Sequence, residues 1–501
     1  MNRREGALWV LGLLVAVGVV HALSFSGAGP VDDDFIAFRY ARNLAEGHGL
    51  VFNEGLRVEG FSAPLWVLAI AAGLKLGFPA TVLGSVLSVL GGAASILSVG
   101  LVWRRYRPAA QWFAPAALLA VSPAFAWHTA AGLGTVLLAG LLAGWLALYD
   151  SAEREGRAAL GAACVLGLAC LLRAEALVWA LPFVVVELRR GKGTASLLAL
   201  LPAAAWLAFR LSYYGRPLPM TYYVKHLPLA AELTYGTTYL GLATLSCGIG
   251  VLLIAALPLA LPVARRGAGS RALSVALFGL FAHAGYVVWV GGDFMPLGRF
   301  FMPALPIACL AACLGLTRLW SSRPQLVAAV GLVAALAFQW PQWIDRAPLH
   351  ARHQDFEERW LTLGRELAQR VPPNTSVALS PIGAFGYASR LPIVDILGLV
   401  NGATEHSEPD LVIIEKGHHR YDAEWVLAEQ PDLVILGNAW LESSPDGALP
   451  TLTISAWERT LWEHPEFQEQ YRPFALELEQ TFPLVFYLRR GAPIPRGARP
   501  L

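Results

Sequence analysis

Three consecutive carboxylates, Asp32, Asp33 and Asp34, follow directly on the first apolar run of the chain. Adjacent carboxylates at a membrane boundary can share a proton, bind a divalent cation or act as a general base. The plain alternative for any one of them is a helix start, where Asp is a common cap; three in a row exceed what a cap requires. A second group lies in SYYGRPLPMTYYVK, where Arg216 and Lys225 stand among Tyr213, Tyr214, Tyr222 and Tyr223. Tyrosines at a membrane interface need no function, but two cations there suit a phosphate, which takes charge-assisted donors. A third, GGDFMPLGRF, places Asp293 and Arg299 on a backbone made irregular by paired glycines and Pro296; the two read either as site residues or as a plain ion pair. The fourth is Arg173 with Glu175 in ACLLRAEALVW, amid otherwise apolar sequence. Ionisable residues in such a place mark a functional site or a tight pair, or a hairpin tip whose side chains snorkel to the headgroups.

The elements that must carry these groups are membrane spans. Hydrophobic residues make up 56% of the 501 and charged residues 15%, with a mean hydropathy of +0.51; soluble domains run at about 45–50% and about 25%. The apolar excess lies before Trp343. A net charge of +2 is too small to imply a nucleic-acid partner. Cys164, Cys170, Cys247, Cys309 and Cys313 all fall in apolar runs with no CxxC, and read as small buried hydrophobes. The run Ala7–Leu23, preceded by Arg3 and Arg4, reads as an uncleaved first helix with a cytoplasmic N-terminus.

Basic clusters mark the cytoplasmic face: Arg104, Arg105 and Arg107; Arg154 and Arg157; Arg189, Arg190 and Lys192; Arg265, Arg266 and Arg271; Arg318 and Arg323. The loops between them, with all four groups above, then lie outside. The last apolar run, Gln325–Phe338, exits outward and delivers the chain from about Asp345 to the periplasm or exterior. This scheme needs an odd number of spans, about eleven to thirteen at roughly 20 residues each; Ala63–Trp103 reads either as two helices or as one span with a re-entrant piece. Phe35, Phe38, Ala41 and Ala45 recur at helical spacing and predict a short amphipathic helix in the first external loop, 26–62.

The segments VDDDFIAFRYARNLAEGHGLVFNEGLRVEGFSAPLW, LLRAEA, YYGRPLPMTYYVK and VGGDFMPLGRF together resemble the GT-C membrane glycosyltransferases. The nearest branch is similar to the terminal arabinofuranosyltransferase of actinobacterial cell walls and its relatives, some named flagellar motor control proteins. SPIGAFGYASRLPIVDILGLVN and EKGHHR extend the likeness into the tail. The resemblance implies a mostly α, multi-span GT-C bundle over 1–343 and an extracytoplasmic α/β domain over 344–501, in a bacterial inner membrane. It implies an inverting transfer of a sugar from a polyprenyl-phosphate donor to an envelope glycan, with membrane lipids as surroundings and neither nucleotide sugar nor nucleic acid. Asp33 or Asp32 would take the acceptor proton. Arg216, Lys225 or Arg299 would stabilise the lipid phosphate as it leaves. Arg39, Tyr40, Asn43, His48, Glu59, Trp66, Arg173, Glu175, Tyr222, Tyr223 and Asp293 would contact substrate; a divalent cation is open, with no ligand set assigned. The family's Gly-Leu-Glu-Thr reads Gly132, Leu133, Gly134, Thr135 here, and its Leu-Arg-Pro-Glu-Gly reads Leu172, Arg173, Ala174, Glu175, Ala176. The absent carboxylate leaves two other readings: an inactive scaffold that kept the fold, and a lipid-linked-sugar transporter, which would show internal repeats that the sequence lacks.

In the tail, Glu357, Glu358, Arg359, Arg365 and Glu366 decorate a helix ending near Pro372. SVALS, LPIVDIL, LVIIE and DLVILG then alternate with loops and helical pieces, a small α/β pattern. His418 and His419 are adjacent, a poor chelating spacing, and read as a glycan contact or plain surface. Trp425, Trp440, Trp457 and Trp462 can stack on sugars, with core packing as the default. The domain is expected to grip the acceptor glycan.

Overall fold

The computed structural model describes residues 3–25, 29–107, 113–260, 270–319, 346–402, 404–413, 416–437, 454–478 and 484–501. Helices α1 (Arg3–Leu23), α2 (Asp32–Glu46), α3 (Pro64–Lys75), α4 (Ala80–Tyr106), α5 (Ala114–Ala120), α6 (Pro123–Ala131), α7 (Thr135–Arg154), α8 (Leu160–Leu172), α9 (Leu177–Arg189) and α10 (Gly193–Tyr213) come first. They are followed by α11 (Met220–Lys225), α12 (Leu229–Cys247), α13 (Ile249–Ala260), α14 (Ser270–Trp289) and α15 (Leu305–Leu319). Five of these are long and apolar enough to cross a membrane, and α12–α13, bent by 92° at Gly248, adds a broken span. Leu8, Trp9, Leu13, Leu197, Leu201, Leu245, Ile254 and Phe278 stay exposed on the bundle's outside, as a bilayer solvent requires. The chain is a multi-pass membrane protein. Where helices approach most closely they do so on glycine: a Cβ at Gly140 of α7 would lie 2.6 Å from the Gly91 carbonyl of α4, the small-residue packing that lets membrane helices meet without a hydrophobic drive.

The ambiguous stretch Ala63–Trp103 resolves into two helices of unequal role. α4 has 27 residues, ample for a crossing. α3 has 12, about 18 Å at 1.5 Å per residue, and packs on α2 and α4 without crossing. The run Gln325–Phe338 lies outside the described residues.

The described members of the basic clusters gather at one end of the bundle, while Arg265, Arg266 and Arg323 lie outside the described residues. Asp150, fully buried, binds Arg105 at 3.1 Å and Arg154 at 3.1 Å. Arg107 donates to Thr317 at 2.8 Å, and Glu153 of α7 accepts from the Ala272 amide at the start of α14 at 2.8 Å. The four groups singled out by the sequence lie at the other end, beneath the tail.

The tail builds on α16 (Arg346–Ala368), β1 (Val377–Leu379), α17 (Gly383–Ser389), β2 (Ile393–Asp395), β3 (Leu433–Val434), β4 (Tyr471–Leu476), β5 (Leu484–Arg489) and β6 (Ala498–Pro500). The six strands form one sheet in the order β2-β1-β3-β5-β4-β6. β1 is parallel to both β2 (Ala378↔Val394) and β3 (Ala378↔Val434), while β3–β5, β4–β5 and β4–β6 are antiparallel. The mixed sheet with a helix after β1 bears out the α/β pattern.

The tail is bolted to the first external loop. Arg39 of α2 donates to the carbonyls of Phe52, Gly386 and Leu391, each at 2.8 Å. Asn53 pairs with the β2 edge like a strand residue, donating to the Ile393 carbonyl at 2.8 Å and accepting from its amide at 3.0 Å. Further along the seam, Arg216 ion-pairs Glu405, Lys416 ion-pairs Glu232, and Tyr235 donates to the Ile413 carbonyl at 2.7 Å.

Candidate active site

Asp32, Asp33 and Asp34 form the first turn of α2, after Val31 as the cap residue. They are therefore not caps; they sit where the helix dipole favours negative charge. Consecutive residues on an α-helix are rotated by about 100°, so the three carboxylates point to three different neighbours. Asp32 accepts from the Gly383 amide at 3.0 Å and the Ala384 amide at 2.7 Å, the first turn of α17 in the tail. Asp34 is fully buried and accepts from the Leu133 amide at 2.7 Å. Asp33 keeps solvent access, with 30% of its side chain exposed, and faces Arg299 Nη1 at 3.7 Å; Asp32 is also partly exposed, but its carboxylate is engaged by the two α17 amides. Divergence excludes one alternative the sequence left open: no proton or cation is shared by all three. Among the described residues, no group of three His, Cys, Asp or Glu is placed to hold a metal ion.

The electrostatics separate the three further. Burial pushes Asp32 up to about 7, against the lowering effect of the Ala384 and Gly383 amides, with Asp33 and Glu357 adding to the rise. Burial also holds Asp34 well above the usual carboxylate range, against the Leu133 amide.

The Asp293–Arg299 loop supplies the facing charge. Arg299 donates from Nη2 to Asp293 Oδ1 at 2.7 Å and lies 5.3 Å from the centre of the Phe300 ring. Burial works against its charge, but Asp293 and Asp33 outweigh it and keep the guanidinium strongly basic. The expected irregular backbone is there: Leu297 and Gly298 adopt φ of 60° and 70° inside the 3-10 turn Pro296–Phe301. Leu133, with φ 59° between two positive-φ glycines, packs with Leu297, Met295 and Trp127 in one small apolar cluster. Two strained loops thus brace each other, and strain of this kind persists only where the surroundings over-determine it.

Arg173 and Glu175 arrive from below. α8 and α9 have 13 residues each, about 20 Å of rise against a core of about 30 Å. Such short helices do not reach across that core, and the Phe300 loop meets their tip. Arg173 pairs with Glu175 and lies 5.9 Å from the Phe300 ring centre, on the ring that Arg299 also flanks. With side chains only 11% and 14% exposed, the pair does not snorkel. The Phe300 backbone is pinned on both sides, its amide donating to Tyr239 Oη at 3.0 Å and its carbonyl accepting from His283 Nε2 at 2.8 Å. Trp179 Nε1 donates to His283 Nδ1 at 3.3 Å, which sets that tautomer. Tyr239, His283 and Phe300 were missed from sequence. His283, a histidine within an apolar helix, was the one detectable signal.

The other residues named by the resemblance make the following contacts within the protein. Arg39 is buried with its donors on carbonyls, and burial lowers it to about 9. Tyr40 donates to the Val58 carbonyl at 2.8 Å and accepts from the Gly60 amide at 2.9 Å; Asn43 donates to the Val51 and Phe52 carbonyls, both at 2.9 Å. Glu59 is locked to Arg210, with Oε2–Nε at 2.5 Å, and takes a bond from Trp206 at 3.2 Å. Trp66 is buried beneath Gly134, where a Cβ would lie 3.3 Å from its ring. His48 pairs with Glu54 at 2.8 Å on the surface. Tyr222 is exposed and stacks on His226 at 5.2 Å, and Tyr223 receives the Arg216 guanidinium at 5.4 Å. Lys225 differs from Arg216: it makes no ion pair among the described residues and lies 5.9 Å from the Phe294 ring, beside Asp293. His419 is buried against Tyr235, so it is not surface. His418 stacks on Trp457 at 5.0 Å and meets Phe294 edge-on at 5.3 Å. Trp440 lies outside the described residues.

Residues 347–487 match a family described only as a domain of unknown function, DUF8728. The chain is 28% identical over 327 residues to the terminal beta-(1->2)-arabinofuranosyltransferase of Corynebacterium glutamicum, covering 55% of this chain and 46% of that protein. It is 29% identical over 330 residues to the enzyme of the same name from Mycobacterium tuberculosis, covering 57% and 52%. The chain thus spans about half the length of the curated relatives it matches. Among solved structures, ArnT from Cupriavidus metallidurans superposes over 97% of this chain and 99% of its own with a TM-score of 0.58 at 14% identity. The same protein bound to undecaprenyl phosphate gives 0.53 at 15%, again over 97% and 99%. An Archaeoglobus fulgidus oligosaccharyltransferase tethered to an acceptor peptide gives 0.50 at 12%, over 98% of this chain and 75% of that one. The fold is GT-C.

Proposed function

We propose that this GT-C-fold membrane protein is an inverting glycosyltransferase that moves a sugar from a polyprenyl-phosphate donor to an envelope glycan or glycolipid. The observation that carries the reading is the convergence on one ring, Phe300, of groups far apart in sequence. Arg299 and Arg173 flank that ring, and Asp33 faces Arg299. The relatives' names make arabinofuranose the first sugar to try, and the undecaprenyl phosphate held by ArnT supports a polyprenyl phosphate as the carrier.

In this mechanism Asp33 is the general base. Asp32 and Asp34 are tied to backbone amides, whereas Asp33 is partly exposed and has no backbone donor among the described residues. It takes the proton of the acceptor hydroxyl as oxygen attacks the anomeric carbon, and the bond to the lipid phosphate breaks on the opposite face. The departing phosphate gains negative charge, which Lys225 and Arg299 meet; preorganised cations in a partly dry site are the largest source of such stabilisation. Arg299 serves both ends by keeping Asp33 oriented while remaining charged. No nucleotide fold is needed, because the donor already carries its leaving group. The basic end of the bundle is the cytoplasmic face, and the tail covers the site from the periplasm or exterior.

The test is transfer of radiolabelled sugar from a panel of polyprenyl-phosphate sugars by the purified full chain. Wild type is expected to label one donor's sugar onto a glycan acceptor, with Asp33→Asn reduced by about 10²–10⁴-fold, the usual range for a lost general base. Equal activity in both would remove Asp33 from the chemistry. No transfer by well-folded wild type from any donor would favour the inactive-scaffold reading.

A further inference from the structure

We propose that Asp32 is a positioning residue through which the tail domain sets the place of the Asp33 carboxylate, so that the docked tail is part of the catalytic centre. The inference rests on the transferase reading above. It concerns a contact between residues more than three hundred positions apart.

The first turn of α2 has no side-chain cap of its own. It is anchored from two sides by the carboxylates that flank Asp33. Asp34 fixes one side through the Leu133 amide at 2.7 Å. Asp32 fixes the other through two amides of the first turn of α17, at 2.7 and 3.0 Å. Both flanking carboxylates are hydrogen-bonded to amides and Asp33 lies between them, so its backbone is held on either side. The α17 side of the joint allows little slack: a Cβ on Gly383 would run into the Asp32 backbone carbonyl and carboxylate, so residue 383 must be glycine for the two backbones to approach. About two and three turns further along α2, Arg39 reaches the Gly386 and Leu391 carbonyls, and Arg42 reaches the Tyr387 carbonyl at 2.6 Å. The stretch from Gly383 to Leu391 therefore grips α2 along one face and sets both its height and its rotation. A base displaced by about 1 Å loses about 10²-fold in rate, which is the scale on which this grip matters.

The contact is tested from both partners. Asp32→Asn replaces one accepting oxygen with an NH2 that opposes an amide of α17. Ala384→Pro deletes the shorter amide donor from the tail side and sets the ring Cδ against the Asp32 carboxylate, at a position in the first helical turn where proline is tolerated. Full-length wild type, each single variant, the double variant and Asp33→Asn are compared in detergent for folding by gel filtration and thermal unfolding, and for kcat and KM of donor and acceptor. Each single variant is expected to lower kcat about 10–100-fold with both KM values within about threefold of wild type. The double variant is expected to be no slower than the slower single, because both remove one contact.

Full kcat in Ala384→Pro beside an inactive Asp32→Asn would overturn the inference in favour of a chemical role for Asp32. Lower thermal stability with unchanged kcat in both would reduce the contact to architecture. Absence of transfer by wild type overturns the functional reading itself and is visible before any variant is compared.

Discussion

Replacing Arg210 by methionine tests whether Glu59 is a scaffold carboxylate or a substrate ligand. Glu59 is 3% exposed and Arg210 9%. The pair is held at 2.5 and 3.1 Å, Trp206 adds a bond at 3.2 Å, and Arg210 also reaches the Pro217 carbonyl at 3.2 Å. Breaking a buried pair by removing one partner costs about 3–5 kcal/mol. Here the loss has a ceiling, because an orphaned Glu59 can take up a proton. Burial already raises it above its ordinary 4.5 even with Arg210 present. From 4.5 to pH 7 that protonation costs about 1.36 × 2.5, or about 3.4 kcal/mol; at pH 5.5 it costs about 1.4 kcal/mol. The sign follows from linkage: a carboxyl with a raised folded-state value binds its proton more tightly when folded, so the variant loses stability as pH rises above 4.5. Arg210→Met is therefore expected to be about 3 kcal/mol less stable than wild type near pH 7 and about 1 kcal/mol less stable near pH 5.5. Glu59→Gln in the same background should recover most of the loss at pH 7. Denaturation of the detergent-solubilised chain at the two pH values, with transfer kinetics on the folded fraction, measures both. A large rise in donor or acceptor KM with unchanged stability would refute the reasoning and return Glu59 to the substrate site.

Lys225→Gln should raise donor KM about tenfold, the loss of about 1.4 kcal/mol expected of a single charge-assisted contact. Arg216→Gln, which removes the partner of Glu405 in the seam, should instead lower stability with donor KM nearly unchanged; titrating the two variants with donor separates these roles. Gly298→Ala places a side chain at φ 70° and 3.0 Å from Ala243, and is expected to cost about 1–2 kcal/mol and to lower kcat through the displaced Arg299. Normal turnover in that variant would show that the loop's strain is incidental.

Much of the site was legible because a membrane makes polarity informative. A carboxylate or guanidinium between apolar runs needs a reason, and Asp33, Arg173, Glu175, Asp293 and Arg299 stood out on that ground alone. The bundle, the sidedness of the basic clusters and the α/β tail followed from composition and periodicity. The local pairs Arg173–Glu175 and Asp293–Arg299 were legible as ion pairs, but the pairings of Asp33 with Arg299, Arg216 with Glu405 and Glu59 with Arg210 were not, since each partner lies several elements away along the chain. Arg39, Asn43 and Glu59 carry the same residue types as a binding site, yet Arg39 bonds to the tail, Asn43 within the first external loop and Glu59 to Arg210 of α10. Tyr239 and Phe300 carried no signal, because an aromatic residue near a membrane interface is ordinary.

The triad of aspartates shows where the division falls. The residues Asp32, Asp33 and Asp34 are a property of the sequence, and so is their place at the start of an amphipathic helix, since both depend only on local order and apolar spacing. Which of them faces the site is not. One helical turn sends them in three directions, and only the packing of α17, the Leu133 loop and Arg299 around that turn decides that two become anchors and the third stays open to solvent.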